Sequence, residues 1–137
     1  MDFGPRRIGL ALSDETERLA TPLRALSVSS IDEAPGAVTA AAREAGAEAV
    51  VVGAPLGLEG EEGRIEMRRV RRFARALRAL SGLPVHLADE SLSTREAEER
   101  TGTRGRAAAT EPLHAAAAAV ILQRWLDRPA RRPKGEA

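Results

Sequence analysis

The chain has 137 residues, of which 43% are hydrophobic and 30% charged, and 21 basic against 20 acidic residues leave a net charge of +1. This balance is typical of one soluble folded domain and excludes an intrinsically disordered chain. The absence of cysteine excludes disulfides, thiolate catalysis and cysteine-ligated zinc. No apolar run approaches the roughly 20 residues of a membrane span, and the first residues show no signal-peptide pattern, so we expect a cytoplasmic protein.

The first third of the chain predicts a β-hairpin, a third strand and a helix, at residues 2–3, 6–13, 23–28 and 31–45. Gly4-Pro5 supplies the turn of the hairpin, and Gly46 ends the helix in the position that follows its C-cap. Because residues 49–52 form a continuous apolar run with three valines, they predict a strand buried on both faces of a parallel sheet.

The rest of the chain predicts a four-glycine loop (Gly53, Gly57, Gly60, Gly63), a helix to about residue 80, a strand at 84–88, a short helix at 93–100 and a last helix at 112–126. This order is typical of an α/β domain whose mostly parallel sheet is opened by an antiparallel pair. We expect one domain over residues 1–127 and a flexible basic tail over residues 128–137.

Acidic residues stand at two strand ends. Asp2 lies on the first strand just before a glycine turn, and Asp89-Glu90 follows the strand at 84–88. Ligands of open α/β sheets bind beyond the carboxyl ends of the strands, and carboxylates there can hold a divalent cation. Since successive strand residues face opposite sides, only one of Asp89 and Glu90 should point into a site. The alternative interpretation is that these are ordinary surface or helix-capping acids.

The last helix carries a second pair of candidate ligands. Glu111 and His114 are three residues apart, so they share one helix face and could complete a metal site. The alternative is that Glu111 caps the helix and that His114 is merely half-buried. The other histidine, His86, lies in mid-strand and is predicted to be a packed core residue.

The helix before residue 80 concentrates positive charge. Residues 64–80 hold seven arginines and one acid, a net charge of +6, so the rest of the chain carries −5. At 100° per residue, five arginines fall in one stripe: Arg64, Arg68, Arg71, Arg75 and Arg78. An apolar stripe lies on another face: Met67, Val70, Phe73, Ala74 and Leu77. The arginine stripe can follow a phosphate backbone, and the alternative is a solvated helix face. Only three residues are aromatic, which argues against base-stacking platforms.

Four motifs, in order over nearly the whole chain, resemble the YqgF/RuvX family of the RuvC-like ribonuclease-H superfamily. They are Asp2-Phe3-Gly4-x-x-Arg7-Ile8-Gly9-x-Ala11-x-Ser13-Asp14, Val51-Val52-Gly53-x-Pro55-Leu56-x-x-x-Gly60-x-x-Gly63, Asp89-Glu90-x-Leu92-Ser93-Thr94-x-Glu96-Ala97 and His114-x-x-Ala117-Ala118-x-x-Ile121-Leu122-Gln123. The resemblance implies a five-stranded mixed sheet flanked by helices. It also implies divalent-metal-dependent cleavage of phosphodiesters, in maturation of the 5′ end of pre-16S rRNA or in resolution of Holliday junctions.

The resemblance further implies a two-metal site that takes Mg²⁺ or Mn²⁺. Asp2 would bridge the ions, and Glu90 or Asp89 would hold them together with Glu111 and His114. Arg7, the glycine-rich loop and the arginine stripe would position a structured RNA or branched DNA by its shape. The protein would be a monomer or a two-fold homodimer.

The sequence departs from the family pattern in three places. No apolar run precedes Asp2, so either the start lies upstream or the first strand is shortened. His114 stands where the family has aspartate, which favours Mn²⁺ over Mg²⁺. Gly57 replaces a frequent asparagine. Two other hypotheses remain open: a nucleic-acid-binding or regulatory relative with weakened catalysis, and a fragment of an acetate/sugar-kinase-like ATPase, for which the chain is short.

Overall fold

Strands and helices alternate along the chain in the computed structural model, which describes residues 1–3, 6–90 and 111–128. The elements are β1 (Asp2–Phe3), β2 (Arg7–Ser13), β3 (Ala20–Ser27), α1 (Ala34–Ala45), β4 (Val50–Ala54), α2 (Gly60–Ser81), β5 (Val85–Asp89) and α3 (Glu111–Asp127). The Gly4-Pro5 turn, the helix expected at 93–100 and residues 129–137 of the expected tail lie outside the described residues. The order of the other elements is as predicted from the sequence.

The first three strands form an antiparallel sheet in the order β1-β2-β3. Asp2 is paired with Gly9, and β2 runs alongside β3 with one irregularity between Leu10 and Ala11. β3 begins at Ala20, three residues earlier than predicted, because Pro22 is tolerated in a strand at the sheet edge. The connecting loop is held by Asp14, whose carboxylate accepts hydrogen bonds from the backbone of Arg18 and Leu19. The Thr16 hydroxyl donates to the same carboxylate at 2.6 Å, and this bond, followed by the two backbone bonds, lowers the pKa of Asp14.

A parallel pair completes the sheet. β4 and β5 are parallel in the register Val52↔Leu87, as the apolar run at 49–52 predicted. Gly53 donates its backbone N–H to the Met1 carbonyl oxygen at 2.9 Å, and the Met1 nitrogen donates to the Val51 carbonyl. β1 therefore lies beside β4, and the five strands are paired as two adjoining sheets, β1-β2-β3 and β4-β5. The predicted five strands, antiparallel first and parallel afterwards, are confirmed, although they are split between two sheets.

Helices α1 and α2 cover one face of this sheet. α1 ends at Gly46, which adopts the left-handed conformation with φ 70° that glycine permits. Val70, Phe73 and Leu77 of α2 are buried in the main core, and the Phe73 ring stacks on Phe3 at 4.4 Å. The apolar stripe predicted for α2 is thus confirmed.

The predicted start of α2 is wrong, because Gly60 and Gly63 belong to the helix and not to the preceding loop. A side chain at Gly63 would place a Cβ 2.2 Å from the Leu58 carbonyl oxygen. Glycine there marks a close approach between the loop and the helix, so its presence did not indicate a flexible segment.

Helix α3 covers the opposite face, with residues 115–121 all buried. Its N-terminal part lies directly on β2, where a Cβ at Gly9 would be 1.9 Å from the His114 carbonyl oxygen. Further along, the Gln123 side chain accepts from the Ala20 N–H and donates to the Arg18 carbonyl, which ties α3 to the β2–β3 connection. None of the helices in the described ranges has the length and apolar character of a membrane span.

Candidate active site

Asp2 and His114 meet at the edge where the strands end. The His114 Nδ1 lies 3.7 Å from the Asp2 Oδ2, and both side chains are about one-fifth exposed, at 22% and 20%. Gly9 explains this proximity. It is the register partner of Asp2, and the missing side chain lets the backbone of α3 rest on the sheet beside the carboxylate. The two residues are 112 positions apart in sequence, so only the tertiary fold brings them together.

Glu90 approaches the same place from β5. Its N–H donates to the Ala54 carbonyl at 3.0 Å, which extends the parallel pairing one residue beyond the strand. Its side chain lies over Gly53, with Oε2 3.3 Å from the position that a Cβ there would occupy. Asp89 is the exposed last residue of β5, one position earlier and hence on the opposite face. Of the two adjacent acids, Glu90 is therefore the one on the α3 face with Asp2.

The site carries an excess of negative charge. Burial and, after it, the nearby carboxylates of Asp2, Glu66 and Asp89 together raise the pKa of Glu90 to about 7. The ionised form of Glu90 is thus unfavourable unless a bound cation offsets the repulsion. Perturbed acids of this kind are concentrated at functional sites.

The donor types suit a divalent cation, because carboxylate oxygens and an imidazole nitrogen are ligands of Mg²⁺ and Mn²⁺ sites. In the described part of the chain, however, no three such side chains are gathered closely enough to hold one ion as they stand. Glu111 is the first residue of α3, and its side chain is outside the described residues. A cation here would have to draw Glu90 toward the Asp2–His114 pair.

The predicted arginine stripe lies apart from this cluster, in a groove between α2 and β5 that also contains Leu87. The Arg78 guanidinium donates from Nη2 to the Val85 carbonyl at 3.0 Å, so this arginine is bound to the sheet edge. Arg7 is exposed at the first residue of β2. The structure therefore places the acidic and the basic candidates on different surfaces.

The prediction that His86 is a packed core residue is wrong. His86 is exposed, and its ring stacks on Trp125 of α3 with 5.0 Å between the ring centroids. The guanidinium of Arg128 covers the same indole ring, 3.2 Å from its centroid. Sequence reasoning also missed the structural roles of Gly9 and Gly53, although both occur in the motifs that carried the resemblance. Glycine inside a strand pattern is the signal that could have identified them.

Comparison with known families matches residues 1–128 to the family described as "RuvX: Holliday junction resolvase". The chain belongs to the RuvX family. A relative from Anaeromyxobacter sp. (strain Fw109-5), named "Putative pre-16S rRNA nuclease", is 43% identical over 129 residues that span 93% of each chain. A relative of the same name from Syntrophus aciditrophicus is 41% identical over 132 residues, 93% of this chain and 85% of its own.

Among solved structures, the chain is similar to T. thermophilus RuvC in complex with a Holliday junction substrate. The TM-score is 0.58 at 19% identity, over 91% of this chain and 89% of that one. This similarity confirms the ribonuclease-H-type fold for the RuvX chain. The membership predicted from the four motifs is likewise confirmed.

Proposed function

We propose that this chain is a divalent-metal-dependent nuclease that hydrolyses a phosphodiester bond in pre-16S rRNA. The observation that carries the proposal is the approach of His114 to Asp2 at 3.7 Å, with Glu90 of the neighbouring strand end on the same face of the fold. The names of the relatives at 43% identity support the hydrolase class and the choice of RNA.

Asp2, Glu90 and His114 would hold the metal, and Glu111, whose side chain lies outside the described residues, stays a predicted further ligand. Bound divalent ions of this kind activate water and stabilise the leaving oxygen of a phosphodiester. The chain itself supplies converging negative charge and a partly buried carboxylate. It also supplies an approach of α3 to the sheet that only Gly9 permits.

Branched DNA is the second candidate substrate, because the family description and the RuvC complex both name the Holliday junction. Symmetric cutting of a junction would require two copies related by a two-fold axis. A catalytically weakened, nucleic-acid-binding relative is the remaining alternative, motivated by His114 at a position where the family has aspartate.

The test compares a labelled pre-16S leader RNA and a four-way DNA junction, each with Mn²⁺, with Mg²⁺ and without metal. We expect metal-dependent cutting of the leader, and Asp2→Asn should slow this cutting more than about 100-fold. Loss of a residue that only supports a metal ligand lowers activity about 10- to 100-fold, so loss of a ligand itself should lower it further. Asp32→Asn is the matched control, an exposed acid on another part of the fold. Cutting of the junction alone would favour branched DNA, and metal-independent or absent cutting would overturn the proposal.

A further inference from the structure

We propose that the groove between α2 and β5 binds the phosphate backbone of the RNA strand that carries the scissile bond, on one side of the cut. The proposal rests on the nuclease function proposed above and adds where the substrate is held. It assigns to the groove a role in anchoring the strand, separate from the chemistry at Asp2.

The groove has the shape and lining of a polyanion site. It has a volume of about 880 Å³, and the arginine stripe lines one wall along α2, with Met67, Ala74 and Leu87 among the other lining residues. Glu59, the residue just before α2, is the one acid in the lining. The arginines therefore border an open groove that is positively charged along most of its length. Guanidinium groups bind phosphate oxygens in a bidentate manner, which suits a backbone passing along the wall.

Within the described ranges, four of these arginines have no acidic partner. Arg64, Arg68, Arg71 and Arg75 form no ion pair there, whereas Arg69 pairs with Glu66 at 3.4 Å on another face of the helix. Like charges three or four residues apart destabilise a helix by about 0.2–0.5 kcal/mol per pair. A bound polyanion would offset this repulsion.

Arg78 has a different part in the groove. Its hydrogen bond to the Val85 carbonyl occupies an acceptor on β5, which is the last strand in the sheet order. Edge strands need such protection against pairing with other chains. We therefore assign phosphate binding to Arg64, Arg68, Arg71 and Arg75, and positioning of the sheet edge to Arg78.

The groove leads away from the candidate active site. α2 starts six residues after β4 ends and runs back to the beginning of β5, so Arg64 is near the carboxyl ends of the strands and Arg78 is far from them. At about 1.5 Å per helical residue, the four phosphate-binding arginines from Arg64 to Arg75 extend over about 16 Å. That length corresponds to about five nucleotides at about 3.4 Å each.

The first experiment measures how salt weakens binding of a pre-16S leader RNA to the full chain carrying Asp2→Asn, which prevents cutting during the measurement. Arg71→Gln with Arg75→Gln should reduce the log–log salt slope by about 1.4, or about 0.7 for each phosphate contact in a single strand. Arg69→Gln with Arg72→Gln is the matched control, because it removes the same charge from the same helix outside the groove. It should change the slope by less than about 0.5.

The second experiment shortens the leader from either end. Binding should weaken as about five nucleotides are removed from one end, and the Arg71/Arg75 variant should be much less sensitive to that truncation. Equal slope losses in both double variants, or an unchanged slope in the groove variant, would overturn the proposal. An effect on a four-way DNA junction but not on the leader would overturn the assignment to RNA.

The binding measurements do not require that the protein cuts RNA, so they test the groove separately from the proposed function. If the Arg71/Arg75 variant shows the expected slope loss but the wild type cuts neither substrate, phosphate binding by the groove is supported and the nuclease proposal is rejected. Each variant is first checked for a thermal unfolding midpoint within about 3 °C of the parent, so that a slope change is not the result of unfolding.

Discussion

The two faces of the sheet are built in opposite ways. Under α3, glycines on the strands make room for the helix: Gly9 faces the backbone of His114, and Gly53 faces the side chain of Ile121. Under α2 the contact is made by large side chains such as Phe73 and Leu77. Backbone therefore lies directly on backbone at Gly9, whereas side chains interdigitate under α2.

This difference matches what each side has to do. Metal ligands must be held to within about 0.5 Å, and a helix seated on bare backbone cannot shift without breaking contacts that no rotamer change can restore. The outer face of α2 needs only a row of positive charges to attract phosphates. Flexible arginine side chains supply these charges without being held at fixed positions. The predictions below test this contrast, beginning with the largest expected effect.

Gly9→Ala should damage the α3 side severely. Its Cβ would be 1.9 Å from the carbonyl oxygen and 2.4 Å from the carbonyl carbon of His114, and both are backbone atoms that cannot rotate away. We expect a loss of about 3 kcal/mol in the free energy of unfolding, at the upper end of the cost of overpacking, measured by urea denaturation.

Gly36→Ala is the control for that substitution. Gly36 lies in α1, and nothing is within 4 Å of its added Cβ. Alanine should leave stability unchanged or raise it by up to about 1 kcal/mol, because alanine is the better helix former. Similar losses for the two variants would mean that the close approach at Gly9 is not a constraint on the fold.

Glu90→Gln should stabilise the metal-free protein at high pH. The pKa of Glu90 is raised from 4.5 to about 7, so between these values the unfolded chain loses a proton that the folded protein keeps. Stability therefore falls as pH rises from about 4.5 to about 7 and remains lower above it. The full difference is worth about 3 kcal/mol, and partial contact with water reduces it to about 1–2 kcal/mol.

The measurement is denaturation in EDTA at pH 8 and at pH 4.5. Glutamine should be more stable than glutamate at pH 8 and no different at pH 4.5. Asp89→Asn removes the same charge one residue earlier, at an exposed position, and should give a smaller gain. An equal gain from Asp89→Asn, or none from Glu90→Gln, would show that Glu90 is not the acid that the fold holds in the site.

His114→Asp should alter the choice of metal by a smaller factor. An all-oxygen site favours Mg²⁺, whereas an imidazole nitrogen suits Mn²⁺ better, so the ratio of activity with Mn²⁺ to activity with Mg²⁺ should fall several-fold. His86→Asp is the control, since the other histidine stacks on Trp125 away from the site. An unchanged ratio in His114→Asp would mean that His114 serves only to pack α3 against the sheet.

Much of the fold could be predicted because local chemistry determines it. The valine run of β4, the glycine that ends α1 and the apolar stripe of α2 each carry their own signal. The start of α2 was predicted too late because glycine inside a helix resembles a loop until its contact with Leu58 is seen. His86 was predicted to lie in the core because the sequence of β5 does not reveal that it is an edge strand whose His86 side chain is exposed.

The site was harder to predict because it depends on contacts between distant segments. Strand alternation indicated that one of Asp89 and Glu90 faces a ligand, but only the position of α3 and Gly53 distinguishes between them. Glycine in β2 gave no indication that His114 would lie above it and beside Asp2. The groove, similarly, depends on β5 lying next to the arginine stripe.

The most direct test of a metal centre at Asp2, Glu90 and His114 is the thermal unfolding midpoint as Mn²⁺ is added. A cation that binds only the folded protein stabilises it by about 2.7 kcal/mol at a hundred times its dissociation constant. The midpoint of the wild type should then rise by about 5 °C or more, and Asp2→Asn should lose most of that rise. A wild type that does not respond to millimolar Mn²⁺, or an Asp2→Asn variant that responds equally, would contradict the account.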